Sequence, residues 1–156
     1  FSIIFISTDF VNSYGYITRN QIRLNKSKYI KFGSHGKTHQ SLDKSIANEV
    51  IFNELFLSKK FFEDLTKKDL LYLSYPNGIY NKNTLRISRE IGYKYIFTSK
   101  RASNRKKERN YTFNRFIIVR NTPLILVFVA YTGIIDFAQN FKNYFRKLKL
   151  ESHFYK

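Results

Sequence analysis

The chain has 156 residues, 43% hydrophobic and 18% aromatic, enough for one domain with a buried core and too few for two of ordinary size. It contains no Cys, Met or Trp, which excludes disulfides and thiolate metal sites and leaves His, Asp and Glu as the candidate metal ligands. Its 28 Lys and Arg against 11 Asp and Glu give a net charge of +17, a balance that attracts anionic surfaces, acidic glycans or nucleic acid through forces that salt weakens.

The opening run Phe1-Ser-Ile-Ile-Phe-Ile-Ser7 is apolar, β-branched and aromatic, which predicts a strand covered on both faces. Because the first residue is Phe rather than Met, the chain is expected to be a fragment. After the turn Asn12-Ser-Tyr-Gly15, Thr18 is placed to cap a short helix toward Leu24, and Tyr29 to Gly33 reads as a second strand. A longer helix is expected from Asp43 to about Phe62, where Ile46, Ala47, Val50, Ile51 and Leu55 recur at helical spacing. Strand character returns at Leu70 to Tyr75 and stops at Pro76-Asn77-Gly78, a turn in which Pro presets its φ and Asn or Gly accepts positive φ.

Asn81 to Ile91 reads as a helix closed by Gly92, followed by buried strands at Tyr95 to Thr98 and Phe116 to Val119. Between these two lies the run at 100–109, KRASNRKKER, which has no hydrophobic period and is expected to be an exposed loop. It is the one concentrated basic stretch, and a nucleic-acid module requires it to join the basic face of 142–149 in a single patch. Lys spread over the whole surface accounts for the charge as well, so nucleic acid is not the favoured partner. Beyond Pro123 an apolar strand is expected, then an amphipathic helix from Ile134 to Leu148 carrying Phe137, Phe141 and Phe145 on its apolar face. The apolar run at 124–135 is shorter than the roughly 20 residues that span a bilayer. No secretory signal is recognisable.

Alternation of strand and helix predicts an α/β fold with parallel strands and crossover helices, whose functional residues gather at the C-terminal ends of the strands. Two of the three histidines, His35 and His39, follow the second predicted strand directly. If that segment begins a helix, a spacing of four puts both imidazoles on one face, where they can share a divalent metal with a third ligand from elsewhere. Such pairs also occur as ordinary surface residues. Gly36 stands where an HExxH protease needs its glutamate, which argues against a zincin.

Taken in order, Phe5-Ile-Ser-Thr-Asp-Phe-Val11, Phe32-Gly-Ser-His-Gly-Lys-Thr-His-Gln-Ser-Leu42, Leu73-Ser-Tyr-Pro-Asn-Gly-Ile-Tyr-Asn81 and Gly92-Tyr-Lys-Tyr-Ile-Phe-Thr98 resemble successive segments of the polysaccharide deacetylases, the NodB-homology proteins of carbohydrate esterase family four. The resemblance runs from Ile3 to Val119. It implies a distorted (β/α) barrel of the NodB type over residues 1–122, incomplete because the first catalytic strand precedes Phe1, with 123–156 forming a C-terminal strand and basic helix. It further implies hydrolysis of N-acetyl groups on polysaccharide containing N-acetylglucosamine, and a divalent metal, zinc or else cobalt or nickel, on His35 and His39.

The same resemblance assigns Tyr75, Pro76, Asn77 and Gly78 to the oxyanion and substrate region, with the N–H of Asn77 as a donor. The family's Asp-Asp pair, which supplies a metal ligand and the general base, has no counterpart here, so no catalytic residue is assigned and turnover is expected to be impaired. Asp9 falls at a structural position of the second strand, Ser74 replaces an arginine that orients the base, and Asn77 replaces the usual tyrosine. The late Leu-x-x-His motif has no match, and His153 reads as a surface residue of a polar tail. The resemblance favours the cell envelope or the extracellular space over the cytoplasm. A remnant that binds glycans or an anionic membrane surface without catalysis is the alternative.

Overall fold

A computed structural model describes residues 1–43, 45–99, 111–115, 118, 120–125, 127 and 128. Five strands, β1 (Ser2–Ile6), β2 (Ile30–Ser34), β3 (Tyr72–Ser74), β4 (Tyr95–Phe97) and β5 (Thr112–Phe113), form one sheet in sequence order, and every neighbouring pair is parallel. Parallel strands in sequence order need crossovers that all run in one sense, which is how a (β/α) barrel is built. The crossovers carry α1 (Arg19–Arg23), α2 (Asn48–Thr66) and α3 (Lys82–Glu90). The architecture is the partial α/β barrel that the sequence predicts.

Local chemistry explains the element boundaries. Thr18 and Gln21 form a reciprocal capping box at the start of α1, and Asn81 with Thr84 does the same for α3, so each satisfies N–H groups that the helix cannot. The start of α2 is later than predicted. Asp43 Oδ1 accepts from the N–H and the hydroxyl of Ser45 at 2.7 and 2.6 Å, a local turn that competes with helix until Ala47 caps it. The same helix runs past Phe62 and ends at Lys67, which adopts a left-handed conformation and donates its N–H to Glu63. Beyond that end, Lys59 Nζ bonds both Glu63 Oε1 (2.5 Å) and the Leu70 carbonyl (2.8 Å), while Leu70 N–H donates to Glu63 (2.9 Å). These contacts fasten the helix to the chain entering β3.

The core lies between the sheet and the helices. Ile51, Leu55 and Phe62 of α2 pack with Ile22, Ile87, Leu42, Leu73, Tyr75 and Ile96, all buried. Burying one such aliphatic or aromatic side chain contributes about 1.5–3 kcal/mol, so α2, with three, is the principal anchor of the layer. Gly33 of β2 is required by this packing, because a Cβ there would lie 2.6 Å from the ring of Phe5.

Three expectations are corrected. β1 is an edge of the described sheet and leaves Ile4 exposed, so it is not covered on both faces. The strand pairing with β4 is Thr112–Phe113, nearer than the one predicted at 116–119, of which only Ile118 is described and is not in a strand. The described residues after Pro123 are helical rather than extended. Val127 N–H donates to the Pro123 carbonyl, and Pro is well tolerated where a helix begins. Leu124, Ile125 and Phe128 are exposed there. The basic stretches 100–109 and 142–149, the helix predicted at 134–148 and His153 lie outside the described residues. Among the described residues no helix is long and apolar enough to cross a membrane.

Candidate active site

The C-terminal ends of the strands converge on one cleft of about 440 Å³ that is lined by His35, His39, Tyr75, Asn77, Gly78 and Arg115 among others. It shares Phe5, His35 and His39 with a groove of about 530 Å³ along the exposed edge of β1. The predicted histidines and the predicted Pro-Asn-Gly turn, some 40 residues apart in sequence, therefore face a common space.

The segment carrying the histidines is a loop rather than the first turn of a helix. Positive φ at Gly36 (78°) and His39 (70°) turns the chain so that the two rings meet edge to face with centroids 4.9 Å apart. Its first part is zipped to the end of β1. The N–H groups of His35, Thr8 and Asp9 donate to Ile6, Gly36 and Lys37, and the Ser7 hydroxyl donates to the His35 carbonyl at 3.0 Å. Asp9 turns outward to Lys37 Nζ at 2.9 Å, the structural position expected of it.

Glu54 holds the rest of the loop. This buried carboxylate of α2 accepts from the N–H of Lys37 (2.9 Å) and of Thr38 (3.0 Å) on Oε2, and from the Thr38 hydroxyl (2.7 Å) on Oε1. A Cβ at Gly36 would stand 3.2 Å from the same carboxylate, so the glycine keeps the contact open. The sequence reading missed Glu54. Its signal was phase, since it shares the buried face of α2 with Ile51, Leu55 and Ser58, where an unpaired carboxylate is not tolerated.

His35 Nδ1 lies 2.6 Å from the Ser74 carbonyl. Only a protonated nitrogen can make that contact, so Nδ1 carries the hydrogen and Nε2 keeps its lone pair. Burial pushes the His35 pKa below its ordinary value, the Ser74 carbonyl opposes this, and the nearby charges of His39 and Arg115 add to the lowering. Neutral imidazole with one nitrogen fixed by a carbonyl is the state in which histidine binds a metal. Among the described residues, however, no third His, Asp or Glu joins the pair in a metal-holding group, and no Asp or Glu lines the cleft.

The turn after β3 is shaped from within. Tyr75 is fully buried; its phenol bonds Ser88 Oγ at 2.8 Å, its ring stacks on Tyr80 with centroids 5.2 Å apart, and burial raises its pKa. Tyr75 therefore brings main chain, rather than its hydroxyl, toward the cleft. Pro76 is buried, Asn77 takes φ 55° and Gly78 φ 68°. Asn77 Nδ2 donates to Ser41 Oγ at 2.8 Å, tying the turn to the chain just after His39, while its N–H meets no backbone acceptor among the described residues. Gly78 is needed twice, for its φ and because a Cβ would fall 2.2 Å from Ser99. Ser74 Oγ is buried without a hydrogen-bond partner among the described residues. Arg115, also absent from the sequence reading, enters from the end of β5 with Nε bonded to the Thr98 carbonyl at 3.0 Å.

The sequence model of the family described as polysaccharide deacetylase matches residues 2–96, more than half of the chain. The chain belongs to the polysaccharide deacetylase family. A comparison with curated proteins found no match. Among solved structures, the fold is similar to the Streptococcus pyogenes deacetylase PplD in complex with acetate, with TM-score 0.71 and 23% identity over 80% of this chain and 56% of that one. It is also similar to a polysaccharide deacetylase from Bacillus cereus, with TM-score 0.69 and 21% identity over 82% and 40%. A pseudoenzyme of carbohydrate esterase family four from Bacillus anthracis matches with TM-score 0.52 and 15% identity over 61% and 32%. At these identities the likeness is one of fold. This chain spans about half the length of these deacetylases, and the family contains pseudoenzymes.

Proposed function

We propose that this cleft is the acetyl-transferring end of a metal-dependent hydrolase that removes N-acetyl groups from polysaccharide containing N-acetylglucosamine, at the cell envelope or outside the cell. The observation that carries this reading is the shared cleft of His35, His39 and the Asn77 turn. A pair of imidazoles suits zinc, with cobalt or nickel as substitutes, and a third, carboxylate ligand is required from beyond the described residues. When bound, the cation supplies Lewis acidity, polarising the acetyl carbonyl and acidifying water.

The chain's own residues account for the rest. Ser74 and Glu54 fix the two histidines, so that little reorganisation remains when a ligand arrives. The Asn77 N–H, on a turn tied to Ser41 through the Asn77 side chain, is the donor for the acetyl oxygen as negative charge grows on it. Among the described residues the cleft holds no carboxylate, so none of them is assigned as the general base.

That same observation supports a second reading, a non-catalytic remnant that binds glycan or an anionic surface. Acetate release from an N-acetylglucosamine oligomer, measured with added zinc for wild type and His35→Ala, separates the two. Hydrolysis requires zinc-dependent release that the variant lacks, whereas oligomer binding without release favours the remnant.

A further inference from the structure

We propose that the outer side of α2 is a dimer interface, on which a second copy of this chain packs its own α2 antiparallel about a two-fold axis. The inference does not depend on the deacetylase reading.

α2 is apolar on two sides. Its inner side carries Ile51, Leu55 and Phe62 into the core, and a surface helix of this kind ordinarily presents a charged or polar side to water. Here the outer side exposes Val50 (41%), Phe52 (42%), Phe56 (39%) and Leu57 (42%). Phe52 and Phe56 stack with ring centroids 5.2 Å apart and planes at 15°, so a partner can cover them with little ordering of the rings. The four residues fall within about 11 Å of helix length, and a contiguous exposed apolar patch marks an interaction site.

Charge selects the occupant. Glu49 and Lys60, both exposed, bracket the patch. They lie about three helical turns apart and so share one side of the helix, with Asn53 and Phe56 between them. A two-fold axis crossing the helix midway between them reverses the copy and sets Glu49 of each chain opposite Lys60 of the other. That contact forms twice, as an isologous interface requires, and the two Phe56 side chains, each about 2 Å of axial rise from the axis, meet at the centre. Parallel alignment would instead set Glu49 against Glu49 and Lys60 against Lys60. The patch is therefore complementary to itself when reversed. It is turned away from Glu54 and the histidine loop, so a copy seated there leaves the cleft open.

The test is sedimentation velocity of the full 156-residue chain over roughly 10–500 µM. At about 0.15 M salt the net charge of +17 is screened beyond about 8 Å, while the Glu49–Lys60 contacts act at shorter range. The expected result is a reversible monomer–dimer equilibrium. Glu49→Lys and Lys60→Glu each convert both contacts into like-charge pairs and should weaken the dimer roughly tenfold. The double variant Glu49→Lys/Lys60→Glu restores opposite charges and should return association to near the wild-type level. Phe56→Ser should weaken it at least as much as either single reversal. Far-ultraviolet circular dichroism checks that each variant folds, and should Glu49→Lys lose helix by placing a cation in the first turn, Lys60→Glu and Phe56→Ser give the reading. A monomeric wild type, association that no folded single variant weakens, or a folded double variant no better than the single reversals overturns the proposal.

Discussion

Replacing Glu54 tests whether the histidine loop is held by α2 or merely lies against it. Truncation to Ala removes the acceptor for two N–H groups and one hydroxyl. A buried donor left without a partner costs about 1–3 kcal/mol. Because Thr38 is exposed and Lys37 only half-buried, water can reach these groups, so the low end applies to each and Glu54→Ala should cost about 3 kcal/mol. Glu54→Gln keeps one amide oxygen for the two N–H groups, and the Thr38 hydroxyl can turn to accept from the amide nitrogen, so its cost should be about 1 kcal/mol. Urea unfolding at pH 7 measures both. Zinc titration should show weaker binding by Glu54→Ala even at temperatures where the variant is fully folded, because Gly36 and His39 need positive φ that the free loop does not favour. An Ala variant within 0.5 kcal/mol of wild type, or one that costs no more than Gln, would refute the clamp.

Three further outcomes follow from the same geometry. Gly78→Ala should destabilise by about 2 kcal/mol or more, since it strains a positive φ and collides with Ser99, and its urea midpoint should fall with an unchanged slope. Tyr75→Phe should lose about 1 kcal/mol through the missing bond to Ser88 and leave zinc affinity unaltered; altered affinity would return the phenol to the site. Stability should decline as the medium is acidified, in two stages. His35 lies below its ordinary 6.5, so the unfolded chain binds its proton first and stability starts to fall below about that pH. Burial alone would raise Glu63, but Lys59 and the Leu70 N–H hold it below its ordinary 4.5, so its contribution is present above that pH and is lost as pH falls through the folded value. Glu63→Gln should flatten the second stage and spare the first, as read from urea midpoints across pH 3–7.

Features set by neighbours in sequence were legible before the structure. The Thr18 cap and the Pro76-Asn77-Gly78 turn depend on local chemistry and appear where expected, and strand and helix alternate as predicted as far as β4. The juxtaposition of His35 and His39 was legible as well, although its cause was not, since a spacing of four fits a helix and the chain uses two positive-φ residues instead. Glu54 and Arg115 were not foreseen because their roles depend on which elements pack together. Glu54 acts across from α2 to a loop 16 residues earlier, and Arg115 reaches the cleft only because β5 pairs beside β4. The strand predicted at 116–119 and the apolar strand after Pro123 failed for a related reason. An apolar run specifies burial but not period, and exposed Leu124 and Ile125 in a helical turn satisfy neither expectation.

The most direct test of the central claim is calorimetric titration of zinc into the chain and into His35→Ala and His39→Ala. A shared metal site predicts one zinc per chain, bound by wild type and weakened at least tenfold in each variant, with affinity declining as the medium is acidified because protons compete with the cation for its ligands. Binding of equal strength in wild type and both variants, or no binding by wild type, would contradict it.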